Sequence, residues 1–213
     1  MRPELPSRVL CLVTDRSLTG GPDGLAEAVA LAVAGGMNMV QLREKDLSPD
    51  RLVALARALR GVASGGALLI VNGDPSAALA SDADGVQLAE QGMSVADARR
   101  VLGSGPLIGR SVHGLEGALQ AGRDGADFLV LGAVFPSRSH PGGPAIGPRG
   151  VTVVAEAVEL PVIGIGGIDK KNAAQVVRAG ARGVAVISAI LAAQDPTVAA
   201  RELASAIGLS APE

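Results

Sequence analysis

The chain contains no Trp and no Tyr, and its aromatic residues are limited to Phe128 and Phe135. Domains that bind nucleic acids usually carry a basic face or aromatic side chains that stack on bases. This chain instead has a net charge of −2 and no long run of basic residues. Its composition therefore excludes the common nucleic-acid-binding classes, and we expect no nucleic-acid partner.

Residues that form disulfides or bind metals are also scarce. The single cysteine, Cys11, cannot form an internal disulfide and is typical of a reducing compartment. Because Cys11 lies within an apolar run, we interpret it as a buried, inert thiol. Two histidines, His113 and His140, are too few for a multi-histidine metal site within one chain. We therefore expect no bound metal.

Long apolar segments are absent as well. No stretch has the length and purity of a membrane span, and the first four residues do not resemble a signal peptide. We expect a cytoplasmic protein that does not contact a membrane. A homodimer remains open at this stage.

The chain is rich in short apolar runs that alternate with Ala-rich segments suited to helices. The predicted strands lie at 9–14, 37–43, 67–72, 85–88, 107–111, 128–132, 162–166 and 183–187. The predicted helices lie at 24–34, 49–63, 75–80, 95–102, 115–124, 150–157, 171–179 and 198–207. Strict alternation is typical of an α/β protein with a parallel sheet. Eight such units in 213 residues favour one domain over 1–213 with a (β/α)8 TIM-barrel fold. A doubly wound open sheet is the alternative, because periodicity does not reveal whether a sheet closes.

One connection differs from the others in length and composition. Residues 137–150, which follow the sixth predicted strand, are rich in Pro and Gly and are long for a βα loop. We predict that they form a flexible loop over the active site. An insertion without function is the alternative.

Polar residues interrupt the end of the second predicted strand. Because strand side chains alternate between faces, Gln41, Arg43 and Lys45 are expected to project on the same side. A parallel strand covered on both faces is normally apolar throughout, and α/β folds build sites at the carboxyl ends of strands. These three residues are therefore candidate substrate ligands, with a surface salt-bridge cluster as the alternative.

Glycines at the end of the seventh predicted strand indicate a phosphate site. In barrels, the loops after the last two strands often bind phosphate through backbone N–H groups and a helix N-terminus. We therefore predict that the phosphate contacts two groups of residues at these strand ends, namely Gly166 and Gly167, and Val186, Ile187 and Ser188. Glycines that serve only a tight turn are the alternative.

Further polar side chains lie on the third, fourth and fifth strands. His113 stands two residues after Ser111, and it is a candidate for proton transfer because histidine titrates near neutral pH. Asn72 and Gln87 carry amides that could orient a polar substrate. Each of these groups could instead be a structural hydrogen-bond partner.

Taken together, these segments resemble the thiamine phosphate synthase/TenI family over nearly the whole chain. The matching segments are 41–45, 69–72, 83–88, 109–113, 125–128, 161–168 and 183–190. The resemblance implies a TIM barrel that binds a small-molecule thiazole phosphate at its C-terminal mouth. It also implies that Ser137 and Ser139 bind substrate, because they stand where the family has a Thr-x-Thr-Lys motif.

Two activities occur in that family, and this chain departs from the motifs of the first. The synthase joins a pyrimidine diphosphate to a thiazole phosphate and releases pyrophosphate. It uses Mg²⁺ held by Asp residues at positions that read Gly73 and Gly92 here, and glycine offers no side-chain oxygen to the metal. The family segment His-Leu-Gly-Gln on the fourth strand is replaced by residues 87–90, Gln-Leu-Ala-Glu.

The second activity is that of the thiazole tautomerase TenI, which isomerises a carboxythiazole phosphate to its aromatic form without a metal. Segment 109–113 resembles the tautomerase segment whose histidine is the acid/base, which implies that His113 is catalytic. Gln41, Arg43 and Lys45 could then hold the substrate carboxylate, with Arg43 offering a bidentate contact.

We therefore favour a tautomerase that needs no cofactor. A synthase, which would require Mg²⁺, and a non-catalytic or regulatory barrel that binds a phosphorylated metabolite are the alternatives.

Overall fold

The computed structural model describes residues 3–63, 66–137 and 144–209. Its centre is a closed barrel of eight parallel strands in sequence order, with the first strand paired to the second and the eighth. The strands are β1 Val9–Val13, β2 Met39–Leu42, β3 Leu68–Asn72, β4 Gly85–Leu88, β5 Leu107–Val112, β6 Phe128–Leu131, β7 Val162–Ile165 and β8 Gly183–Val186. The prediction of a TIM barrel is confirmed, and the open-sheet alternative is wrong.

Helices connect successive strands around the outside of the barrel. They are α1 Pro22–Ala34, α2 Pro49–Ala63, α3 Pro75–Ala80, α4 Val95–Leu102, α5 Leu115–Arg123, α6 Gly147–Ala157, α7 Ala173–Arg178, α8 Ser188–Leu191 and α9 Pro196–Ala206. A 3-10 turn at Arg16–Leu18 and the four-residue α8 were not predicted. Both are shorter than the two helical turns over which an apolar periodicity can be recognised.

Two apolar clusters follow from the alternation of strand side chains. The larger cluster joins one face of the strands to the helices, and the smaller consists of buried strand residues that fill the barrel interior. The interior cluster comprises Val9, Cys11, Val13, Met39, Ile70, Leu107, Phe128, Val130, Ile163 and Ala185. Cys11 is 2% exposed, and burial raises the pKa of its thiol to about 12, which agrees with its interpretation as an inert core residue.

Two element boundaries differ from the predictions in ways that affect the site. β2 ends at Leu42 rather than at residue 43, and α6 begins at Gly147 rather than at residue 150. The predicted flexible loop 137–150 therefore includes the first turn of a helix, and its residues 138–143 lie outside the described residues. Within the described ranges, no helix combines the length and the apolar character that crossing a membrane would need.

Candidate active site

Two pairs of polar side chains lie above the apolar interior at the carboxyl end of the barrel. Gln41 Nε2 donates to Asn72 Oδ1 at 3.0 Å, joining β2 to β3. Gln87 Nε2 donates to Ser111 Oγ at 3.0 Å, joining β4 to β5. Gln41 and Asn72 stand two positions after the interior residues Met39 and Ile70, so their side chains form the next layer of the barrel. Ser111 stands four positions after the interior residue Leu107 and belongs to the same layer. The structure thus brings together four of the predicted substrate-binding residues.

The Gln87 side chain is buried, and one of its polar atoms has no partner. Its residue exposure is 1%, and Oε1 is the single buried side-chain oxygen or nitrogen without a hydrogen bond among the described residues. This atom occupies space that Gly109 leaves open, since a Cβ at Gly109 would lie 2.2 Å from it. A buried acceptor without a donor costs about 1–3 kcal/mol. Such an atom is therefore a candidate contact for a ligand N–H or O–H.

The predicted grouping of Gln41, Arg43 and Lys45 on one face is only partly correct. Alternation applies within a strand, and β2 ends at Leu42, so it does not extend to Arg43 and Lys45. Gln41 is buried, Arg43 is half-buried and Lys45 is exposed. Neither cationic side chain has a hydrogen-bond or ion-pair partner within the part of the chain that the structure describes. Both are therefore available to bind an anion.

A carboxylate that sequence reasoning overlooked organises the backbone between these two cations. The Glu44 side chain is 4% exposed and pairs with Arg16, whose Nη1 lies 2.9 Å from Glu44 Oε2. Glu44 Oε1 accepts from Thr14 Oγ1 at 2.7 Å and from the Arg16 backbone N–H at 3.1 Å. Thr14 Oγ1 also accepts from the Arg43 backbone N–H at 2.9 Å. This network holds the β1 and β2 loops together and fixes the backbone that presents Arg43.

The same arginine also forms an exposed ion pair with Asp46. Arg16 Nη1 lies 2.7 Å from Asp46 Oδ1, and Nη2 contacts Oδ2. The Arg16 guanidinium lowers the pKa of Asp46, and the two carboxylates raise the pKa of Arg16.

His113 lies directly after β5 and pairs with Glu90, a second residue that the sequence interpretation did not single out. His113 Nδ1 and Glu90 Oε2 are 2.6 Å apart, and Glu90 Oε1 accepts from the His113 backbone N–H at 3.2 Å. The His113 side chain is 68% exposed and that of Glu90 is 27% exposed. The pair thus stands at the solvent-facing rim, beyond the Gln87–Ser111 pair.

The predicted phosphate-binding residues lie at the ends of β7 and β8. Gly166 and Gly167 adopt φ values of +102° and +61°, which favour glycine. The backbone N–H groups of Gly166, Gly167 and Ser188 donate no hydrogen bond to any residue within the described ranges. Ser188 is exposed at the start of α8, Ile187 is half-buried and Val186 is buried. Free N–H groups at adjacent strand ends are the feature that an anion requires.

The glycines also have a packing role that the sequence did not reveal. A Cβ at Gly167 would lie 2.4 Å from the Pro136 carbonyl oxygen, and one at Gly166 would lie 2.8 Å from the Ala133 Cβ. Phe135 N donates to the Gly166 carbonyl at 3.0 Å, which holds the β6 loop against the β7 loop. A larger residue at either position would therefore disrupt this contact whether or not an anion binds.

The structure describes only one of the two serines that were predicted to bind substrate. Ser137 is half-buried, six residues after the end of β6. Ser139 lies outside the described residues, so its predicted contact with substrate stays a prediction.

The positions that the resemblance associates with Mg²⁺ do not fit this cation. Gly73 and Gly92 supply no side-chain oxygen, and the neighbouring Asp74 accepts from Ala77 N at 2.9 Å as the N-cap of α3. Within the described part of the chain, no group of three or more His, Cys, Asp or Glu residues could hold a metal ion. Mg²⁺ prefers several oxygen ligands in octahedral geometry, and these residues do not provide them.

Comparisons with known proteins identify the relatives of this barrel. A family model described as thiamine monophosphate synthase matches residues 10–190. A putative thiamine-phosphate synthase of Geobacter sulfurreducens is 47% identical over 196 residues, which are 91% of this chain and 92% of the relative. The thiamine-phosphate synthase of Roseiflexus castenholzii is 45% identical over 197 residues, which are 92% of this chain and 86% of the relative.

A solved structure gives the same result. Thiamine phosphate pyrophosphorylase from Pyrococcus furiosus is 36% identical, has a TM-score of 0.86 and aligns over 95% of this chain and 96% of its own. These relatives carry names of the synthase, so they do not support our preference for a tautomerase over a synthase. On the evidence of the family model and these relatives, the chain belongs to the thiamine monophosphate synthase family.

Proposed function

We propose that this protein acts in thiamine biosynthesis as a thiamine-phosphate synthase, a transferase that joins a pyrimidine diphosphate to a thiazole phosphate and releases pyrophosphate. The observation that carries this proposal is the 45–47% identity to relatives with that name over more than nine-tenths of the chain. It replaces the tautomerase as the first candidate.

The distribution of anion-binding groups supports the same reaction. The unpaired Arg43 and Lys45 side chains follow β2, whereas the free N–H groups of Gly166, Gly167 and Ser188 follow β7 and β8. β1 alone separates β2 from β8 in the barrel. A diphosphate beside the cations and a monophosphate at the glycines would place two phosphorylated substrates over one mouth. Cations beside a departing diphosphate stabilise the charge that develops on it.

Substrate binding would use the polar layer between these two groups. The Gln41–Asn72 and Gln87–Ser111 pairs line the mouth, and amides can orient heterocycles through donor and acceptor positions. The resemblance implies that a synthase uses Mg²⁺, but Gly73 and Gly92 give this chain no carboxylate for the metal. We therefore propose that this chain departs from that expectation and works without a metal cofactor.

An assay of pyrophosphate release from the purified protein tests this proposal. Arg43→Ala should lower kcat/KM by about 10-fold or more, since a charge-assisted contact to a carboxylate or phosphate contributes about 1.5–3 kcal/mol. Arg51→Ala, which removes an exposed cation of α2, is the matched control and should leave the rate unchanged. No pyrophosphate release by the wild-type protein would reject the synthase.

The thiazole tautomerase remains the second candidate because of one specific observation. His113 Nδ1 contacts the Glu90 carboxylate at the rim of the barrel, an arrangement suited to acid/base chemistry. In a tautomerisation, one ring proton is removed and another is added elsewhere, so atoms and electrons balance without an oxidant or a metal. An imidazole performs both steps near neutral pH.

Aromatisation of the thiazole ring is visible as a change in ultraviolet absorbance. His113→Ala should reduce this change by about 10²-fold or more while leaving phosphate-ligand affinity nearly unchanged. Full activity of the His113→Ala variant would remove His113 from the mechanism. Binding without turnover in either assay would instead favour the non-catalytic barrel.

A further inference from the structure

The Glu90 side chain makes its hydrogen bonds with His113 at the rim of the barrel. Both of its carboxylate oxygens are occupied by His113, one by the ring Nδ1 and the other by the backbone N–H. A carboxylate can only accept hydrogen bonds, so the contact with Glu90 requires the proton on Nδ1 in a neutral imidazole. The ring Nε2 has no hydrogen-bond partner within the described ranges.

Two neighbouring elements hold the Glu90 carboxylate in this position. A Cβ at Gly117 of α5 would lie 2.3 Å from Glu90 Oε1, so the carboxylate packs directly on the first turn of that helix. Arg110 Nη2 donates to the Glu90 carbonyl at 2.9 Å and Nη1 to the Met93 carbonyl at 2.7 Å. These contacts fix the loop after β4 against β5, and the helix N-terminus favours a negative charge beside it.

We propose that Glu90 is the positioning residue for His113. Its carboxylate accepts the Nδ1 proton and orients the ring, which leaves Nε2 free to exchange a proton with a heterocyclic phosphate at the barrel mouth. The proposal rests on the tautomerase as the second candidate function. A carboxylate that fixes the tautomer of a catalytic imidazole can be as important to turnover as the imidazole itself.

The tautomer of His113 tests the proposal without reference to activity. Long-range ¹⁵N–¹H spectra of the His140→Gln protein, recorded at alkaline pH where histidine is neutral, report which ring nitrogen carries the proton. We expect the proton on Nδ1. Glu90→Ala should shift it toward Nε2, and so should Gly117→Ala, because the new methyl group displaces the carboxylate.

We expect Gly117→Ala to remain folded, because alanine favours a helix more than glycine does. A change of tautomer in this variant therefore cannot be attributed to unfolding. Glu116→Ala is the matched control, because it removes an exposed carboxylate of α5 that has no partner in the described part of the chain. It should leave the tautomer unchanged. A thiazole phosphate ligand should move the Nε2 resonance of the wild-type ring more than the Nδ1 resonance.

Kinetics then separate positioning from a purely structural role. Glu90→Ala should lower the kcat of isomerisation by about 10-fold or more with little change in KM, whereas Glu116→Ala should change neither. A proton on Nε2 in the wild-type protein, or an unchanged kcat in Glu90→Ala, would overturn the proposal. Absence of isomerisation in the wild type would reject the tautomerase, while the ring spectra would still decide the pairing.

Discussion

Gln87 and Ser111 are joined by a hydrogen bond of 3.0 Å between neighbouring strands, and this bond leaves the second polar atom of the Gln87 amide buried without a partner. The amide nitrogen is satisfied and the amide oxygen is not. A buried acceptor without a donor reduces the free energy of unfolding, and a ligand N–H or O–H that bonds to it would remove this cost. Residues that serve binding often lower the stability of a protein.

Replacing Gln87 with the apolar and similarly sized Met therefore has opposite effects on stability and binding. Gln87→Met should keep or raise the free energy of unfolding, by up to about 1–3 kcal/mol, because it removes the unsatisfied oxygen. It should weaken binding of a thiazole phosphate by about 10-fold, the loss of one hydrogen bond. Urea unfolding and calorimetric titration measure the two effects.

Gln175→Met is the control for this substitution, because Gln175 is exposed on α7. It should change neither quantity. A destabilised Gln87→Met protein with unchanged affinity would show that the amide serves the fold alone.

Metal dependence follows from the residues at the ends of β3 and β4. Since Gly73 and Gly92 provide no carboxylate, turnover in either assay should survive an excess of EDTA. Addition of millimolar Mg²⁺ should change the rate by less than about twofold. A metal that contributed 1.4 kcal/mol to the reaction would change the rate by about 10-fold. If EDTA abolishes turnover and Mg²⁺ restores it, other oxygen ligands must hold the metal.

The phosphate site at β7 and β8 is best tested at Ser188, because substitutions of Gly167 would collide with the β6 loop. Ser188→Ala should weaken phosphate-ligand binding by at most about 1.5–3 kcal/mol, the contribution of one charge-assisted hydrogen bond. Ser188→Asp should weaken binding further through charge repulsion, yet should not destabilise the start of α8.

The control for charge is Ser205→Asp on α9, where Ser205 is exposed. In a crystal soaked with sulfate, the anion should contact Gly166, Gly167 or Ser188. A sulfate bound elsewhere over the mouth, with these N–H groups vacant, would contradict the assignment.

Asp46 predicts a pH dependence of stability. Its pKa is lowered in the folded protein by the Arg16 guanidinium, from an ordinary value of 3.8. A lowered folded pKa stabilises the protein above the unfolded pKa, and this contribution is lost as the pH falls through the folded value. Asp46→Asn should therefore lower the urea midpoint at pH 7 and have no effect once the pH has fallen below the lowered pKa of Asp46 in the folded protein.

Because the Asp46–Arg16 pair is exposed, we expect this difference to be small and to decrease with salt. Asp50→Asn, which changes an exposed carboxylate in the first turn of α2, is the comparison. A difference that persists equally at low pH would assign the effect to packing rather than to the ion pair.

Repetition is what made the fold predictable. The eight apolar runs, separated by helical segments, predict the start and the end of every strand to within two residues of the observed bounds. Polar residues at strand ends also indicated the candidate site, because the topology of a parallel barrel brings all carboxyl ends of the strands to one face. Gln41, Asn72, Gln87 and Ser111 could be selected in this way from the sequence alone.

The partners of these side chains were decided by tertiary structure. Glu44 and Arg16 are 28 residues apart, and Glu90 and His113 are 23 apart, so no local pattern links them. Periodicity depends on neighbours along the chain, whereas these contacts depend on how adjacent strands align and where their loops turn. Likewise, Gly166 and Gly167 could be recognised as a turn, but their contact with the β6 loop exists only because the barrel brings β6 and β7 side by side.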